Sequence, residues 1–208
     1  LSKNQEQMTD DVKSIFAREA EAIKNIPVDE NFNKALDLIY EHVHKSCGKL
    51  VASGMGKAGQ IAQNIATTFS STGTPSVFLH PCDAQHGDLG ILAENDILLL
   101  ISNSGRTREI IELVVLTRRL YPQIPFILIT GNKDGELVKA SSAVLFTGNP
   151  PEVCPLGLTP STSTTVMTVI GDALVATMIK KINFTSSDYA KRHHGGYLGE
   201  KSRDLSCL

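Results

Sequence analysis

The 208-residue chain predicts an α/β fold: an αβα sandwich of three layers around a five-stranded, doubly wound parallel sheet, preceded by two N-terminal helices. Three observations predict it. Short apolar runs alternate with segments of helical periodicity, which calls for parallel strands joined by helical crossovers. The run 96–102, DILLLIS, is apolar without alternation, as a strand covered on both faces must be. The 41% of apolar residues suffices, at this length, to fill a core on both sides of a sheet.

The elements follow in order. Over 5–26, Met8, Val12, Ile15, Phe16, Ala20 and Ile23 recur at helical spacing, and Pro27 ends the helix. A second helix runs from a cap at Asp29 to about residue 46, with Phe32, Ala35, Leu36, Leu38, Ile39 and Val43 as its apolar set. This pair stands outside the strand–helix alternation, where helices commonly pack on a partner subunit. Gly48 opens a strand over 49–53, followed by the loop Gly54-Met55-Gly56-Lys57 and a helix over 58–71. A short strand at 76–79 leads to a polar loop over 80–92, and the strand at 96–102 exits into SNSGRT. A helix over 107–120, strands at 126–130 and 143–146, and a short helix at 135–140 between them complete the alternation. The stretch GNPPEVCPLGLTPSTSTT has too many prolines and glycines for a regular element. Beyond it come a long apolar core helix over 163–182, charged at Asp172, a short helix over 186–191, the loop His193-His194-Gly195-Gly196 and a polar tail. The whole reads as one domain, with N-terminal helices at 1–47, the wound core at 48–182 and a C-terminal segment at 183–208.

Composition excludes several classes. A net charge of −2 with no basic stripe argues against nucleic acid. No apolar run approaches the roughly 18 residues that would suggest a membrane span, and the polar start LSKNQEQMTDD is unlike a signal peptide; a cytoplasmic protein is expected. Cys47, Cys82, Cys154 and Cys207 lie far apart with no CxxC pair, so free thiols are expected. The chain opens on Leu1 rather than Met, which reads as a processed or trimmed N-terminus.

The chemistry gathers around 49–107. Two strands there end in glycine-containing loops that run into helices. Such loops hold phosphate, because glycine lets the backbone approach an anion and the helix start supplies unpaired N–H donors with a positive dipole end. In the second loop Ser102, Asn103, Ser104 and Thr107 surround Gly105, and these side-chain donors fit the oxygens of a phosphate; a well-capped turn uses the same residue types. In the first loop Gly54 and Gly56 flank Met55, and Lys57 is placed to reach over the same crevice. His80, Cys82, His86 and Asp88 contain metal-ligand types, but their spacing has no helical or ribbon regularity, so no metal is expected and His86 reads better as a hydroxyl-binding group. Glu109, in a first helical turn, complements the dipole. Glu152, between Pro151 and Val153, is expected to be partly buried, with its pKa raised towards that of a general base. His193 and His194 are acid–base candidates at neutral pH.

The segments SGMGKAGQIA, HPCDAQHGDLG, ISNSGRTREI, EVCPLGLTPSTSTT and HHGGYLG together resemble the sugar isomerase (SIS) domain, and within it the D-arabinose 5-phosphate isomerase family. The resemblance extends from about residue 15 to 199. It implies a cofactor-free and metal-free isomerase that converts D-ribulose 5-phosphate to D-arabinose 5-phosphate at the entry to the Kdo sugar of lipopolysaccharide, and a homotetramer. Carried over residue by residue, it implies catalytic roles for Lys57, Glu109, Glu152 and His193 and substrate binding by His86. Arg106, where glutamate is common, Cys82, where glycine is common, and His194, in place of proline, are departures. Many members continue into a pair of CBS domains, while this chain stops at Leu208. Inhibition by a downstream sugar nucleotide in the same crevice is also expected.

Overall fold

The computed structural model describes residues 3–206, with side chains from 7 to 204. Its strands are β1 (Leu50–Gly54), β2 (Ser76–Phe78), β3 (Ile97–Ile101), β4 (Phe126–Thr130) and β5 (Ala143–Phe146). They form one sheet in the order β2-β1-β3-β4-β5, every neighbouring pair parallel. The doubly wound five-stranded sheet expected from the alternation is therefore the architecture observed. Every residue of β1, β3 and β4 is buried, and the register shows why those runs do not alternate. Ala52, Leu99, Ile127 and Ala143 align across one face, while Val51, Leu98 and Phe126 align across the other. Successive side chains of a strand point to opposite faces, and here each face has its own core.

The first face is covered by α2 (Glu30–Ile39), α3 (Lys57–Ser71) and α7 (Thr162–Lys181), which contribute Leu36, Ile65 and Ile170 among others. The second is covered by α5 (Arg108–Leu120) and α6 (Glu136–Ala140), through Ile110, Leu113 and Leu137. Outside these layers, α1 (Lys3–Lys24) lies against α7 and leaves Met8, Val12, Ile15 and Phe16 exposed.

Several expectations need correction. The second helix keeps its cap, since Asn31 N donates to Asp29 Oδ1 at 2.9 Å. It does not continue regularly to residue 46, however: at Tyr40–Lys45 it widens into a π-helical turn that keeps Val43 buried. The polar loop over 80–92 contains α4 (Pro81–Ala84), started by Pro81, and a 3₁₀ turn at Asp88–Ile91. The polar tail is in fact α9 (Gly196–Ser206), stacked on α8 (Ser186–Ala190). Ser202 of this helix is buried, and its Oγ donates to Gly199 O at 3.0 Å. By length and composition α7 would suit a membrane, contrary to the reading that no run approaches that length, but half of it is buried inside the protein and it serves as a core helix. Cys47, Cys82 and Cys154 are free thiols, while Cys207 lies outside the described residues.

Candidate active site

β1 and β3 lie side by side, and the chain leaves them in opposite directions, from β1 to β2 and from β3 to β4. In an open parallel sheet that reversal produces a crevice beyond the carboxyl ends of the two strands. The crevice here has a volume of about 780 Å³. Met55, Lys57 and Ala58 line it from β1, and Ser102, Asn103, Ser104 and Thr107 from β3. The exit of β4 adds Gly131 and Asn132, and the chain beyond β5 adds Asn149, Pro160, Ser163, Thr164 and Met167.

Three helices, α3, α5 and α7, begin at this crevice; α3 and α5 bring unpaired N–H groups and positive dipole ends to it, while the start of α7 is capped by the Glu152 carboxylate. The sequence pointed to two. The third was signalled by PSTSTT, a hydroxyl-rich helix start of the same kind as SNSGRT, and Thr130 and Asn132 by their place at a strand exit.

The β3 loop is pinned from several sides. Ser102 Oγ and Thr107 Oγ1 are 2.7 Å apart and close the turn, and Arg106 N donates to Ser104 Oγ at 3.2 Å. From the β4 side Asn132 Nδ2 donates to Ser104 O at 2.8 Å and Thr130 Oγ1 donates to Asn103 O at 3.2 Å. Gly105 has φ +61°, and a Cβ there would sit 3.0 Å from Gly135 Cα, so glycine is required on both counts. In the β1 loop a Cβ on Gly54 would fall 2.6 Å from Ala58 O; the missing side chain lets α3 start hard against the strand, with Gly56 as its N-cap. Lys57 is then the first residue of α3, exposed at the crevice, and no ion pair holds it among the described residues.

Glu152 stands behind the crevice wall that Ser163 forms. Its Oε2 accepts from Ser161 N at 2.8 Å, Ser161 Oγ at 2.9 Å and Ser163 N at 3.3 Å, and its Oε1 accepts from Ser163 Oγ at 2.5 Å. Burial alone would raise its pKa, as the sequence reading anticipated. The hydrogen bonds from Ser163 and Ser161 together outweigh that effect and hold the carboxyl below the usual range. The expectation of a raised pKa is therefore corrected: Glu152 is held as a carboxylate at neutral pH, and as a weaker base than burial alone would make it. In the same loop, hydrogen bonds from the Thr159 hydroxyl and N–H and from the Leu156 N–H lower the Cys154 thiol to about 7.

Three other candidates lie outside the crevice lining. Glu109 is half-buried in the first turn of α5. His86 is exposed after α4, beside Gln85, whose Nε2 donates to Glu112 Oε2 of α5 at 2.9 Å. His193 belongs to the α8–α9 corner: its ring stacks on Tyr189 with centroids 3.7 Å apart and planes 6° from parallel. Its Nδ1 is 3.1 Å from Tyr189 O. A carbonyl can only accept, so this bond places the proton on Nδ1 and leaves Nε2 open. His80 Nδ1 is 3.7 Å from Asp83 Oδ2, and among the described residues no three His, Cys, Asp or Glu side chains converge as metal ligands would.

Fold and crevice together define an open α/β domain with a crevice beyond the carboxyl ends of its strands, the place where this class of fold takes its ligands. The particular family follows from comparison with known proteins. The SIS domain model matches residues 45–177, and the chain belongs to the SIS domain family. It is 42% identical over 189 residues to the arabinose 5-phosphate isomerase KdsD of Shigella flexneri, a match covering 91% of this chain and 56% of that protein. The KdsD of Francisella tularensis is 43% identical over 181 residues, covering 87% and 54%. The chain thus spans little more than half the length of these curated relatives. Among solved structures, a Bacteroides fragilis protein provisionally assigned as a phosphosugar isomerase involved in capsule formation is 62% identical, with a TM-score of 0.90 over 91% of this chain and 99% of that one. An Escherichia coli protein solved in complex with arabinose 5-phosphate is 33% identical, with a TM-score of 0.82 over 93% and 100%.

Proposed function

We propose that this chain is an aldose–ketose isomerase that interconverts D-ribulose 5-phosphate and D-arabinose 5-phosphate through an enediol. The observation that carries the reading is a crevice lined by helix starts, the SNSGRT side chains and Lys57, which forms no ion pair among the described residues, with an ionised carboxylate, Glu152, directly behind its Ser163 wall. The similarity to arabinose 5-phosphate isomerases selects the sugar.

The SNSGRT loop and the start of α3 hold the phosphate, with the Ser102, Asn103, Ser104 and Thr107 side chains around it. Glu152 takes the proton from C2 of the aldose and returns one to C1, and the electron pair released forms the enediolate. Lys57 stabilises the negative oxygen. His193 moves protons between O1 and O2. Its place on α8–α9, away from its own chain's crevice, supports action in the site of a neighbouring subunit, and the exposed apolar stripe of α1 offers a surface for such an assembly. Glu109 and His86 orient sugar hydroxyls. A cytoplasmic homotetramer feeding Kdo and lipopolysaccharide synthesis, with a downstream sugar nucleotide competing for the crevice, completes the reading.

Incubation with ribulose 5-phosphate and assay for arabinose 5-phosphate tests it directly. Product formation is expected; turnover of a six- or seven-carbon sugar phosphate instead would reject this substrate. Mixing inactive Lys57→Ala and His193→Ala subunits is expected to restore activity, and full inactivity of every mixture would reject a shared site.

A further inference from the structure

The Glu152–Val153 peptide unit is gripped at both ends by adjacent residues of α1. Arg18 Nη2 donates to Glu152 O at 2.9 Å. At the other end Val153 N donates to Thr162 Oγ1 at 3.0 Å, and the Thr162 hydroxyl donates in turn to Glu19 Oε1 at 2.9 Å. The signs match: a cation lies on the negative end of the peptide dipole, and a carboxylate, through one hydroxyl, on the positive end. Thr162 is buried, and its hydroxyl spends its single proton on Glu19. The second oxygen, Glu19 Oε2, is buried without a hydrogen-bond partner among the described residues, so among them the Thr162 hydroxyl is what holds that carboxylate.

These contacts join parts of the chain more than 130 positions apart. The wound sheet does not require them, since the carboxylate of Glu152 already has its donors from the start of α7. What they fix is the backbone from which that carboxylate projects. With the peptide plane held at both ends, the side chain leaves in one direction, and its bonds to Ser161 and Ser163 set the rest. A misplaced catalytic group loses rate much more than affinity, because the phosphate anchor at the other side of the crevice is untouched.

We infer that Arg18 and Glu19 are positioning residues for Glu152, so that the N-terminal helix sets the geometry of proton transfer without touching substrate. The inference rests on the isomerase reading for its kinetic consequence, and on the distances alone for its structural one.

The test uses Glu19→Ala, Glu19→Gln and Thr162→Val, each checked for the wild-type melting transition. Glu19→Ala is expected to lower kcat on the order of tenfold with KM for the sugar phosphate within about twofold. Glu19→Gln keeps the acceptor and should recover most of the rate, while Thr162→Val should match Glu19→Ala. Hydrogen–deuterium exchange provides a readout independent of turnover: exchange over 152–163 should quicken in Glu19→Ala and Thr162→Val and stay unchanged at the starts of α3 and α5. Unchanged kcat and unchanged exchange in both would overturn the inference, as would a loss in Glu19→Ala that Glu19→Gln fails to relieve. If Glu19→Ala does not fold, Thr162→Val and Arg18→Met decide by the same two readouts. A wild-type protein without isomerase activity but with the expected exchange pattern would reject the isomerase reading and leave the grip standing.

Discussion

The two sides of the crevice are built in different ways. The phosphate side is local: two strands end, two loops turn through Gly54, Gly56 and Gly105, and helices start where the strands stop. Each part is close in sequence to the next, and the sheet fixes their mutual position. The proton-transfer side depends in addition on a distant part of the chain: Glu152 is held by nearby Ser161 and Ser163 at the start of α7, but its peptide is gripped from α1, more than 130 positions away. A binding site can thus be inherited with the fold, whereas the placement of a base must be specified by particular tertiary hydrogen bonds.

The contrast can be broken by variants of unequal severity. The largest effect is expected from Lys57→Ala, which removes the cation that meets the developing oxyanion and should lower kcat about 10²–10³-fold in a steady-state assay. Thr107→Val breaks the Ser102–Thr107 contact and removes a phosphate donor. About tenfold in KM, with kcat nearly unchanged, is expected from the loss of one hydrogen bond to a charged group. A drop in kcat alone would contradict the division between the two sides.

Smaller effects sharpen it through pH. The folded pKa of Glu152 is depressed, so its contribution to stability is present above the unfolded carboxylate value of about 4.3 and is lost as pH falls through the folded value. Ser163→Ala removes the hydroxyl that donates to that carboxylate. Its thermal midpoint should lie below wild type at pH 7, and the gap should narrow as pH drops below about 4. Smallest is a local titration: alkylation of Cys154 should rise through pH about 7, and Thr159→Val should move that midpoint up towards the ordinary thiol value.

How much of this was legible in the sequence divides along the same line. Strands β4 and β5 fall at the residues read from pattern, 126–130 and 143–146, because a strand buried on both faces announces itself by an unbroken apolar run. The loops after β1 and β3 were legible because their chemistry is local. The helix α9 was not, since its sequence is polar and its packing against α8 is a tertiary contact. The pKa direction of Glu152 was misjudged for a related reason: partial burial was readable from flanking Pro151 and Val153, but the donors of Ser161 and Ser163 that reverse its effect are brought in by the start of α7. The grip of Arg18 and Glu19 left no sequence signal, because an Arg-Glu pair on a helix is ordinary until the fold sets it against residue 152.

The most direct test compares binding and turnover in Glu152→Gln. Calorimetric titration with arabinose 5-phosphate should give an affinity within about threefold of wild type, while the rate of isomerisation falls about 10²–10⁴-fold. Loss of binding in step with loss of turnover would contradict a crevice in which the phosphate is held by one side and the proton moved from the other.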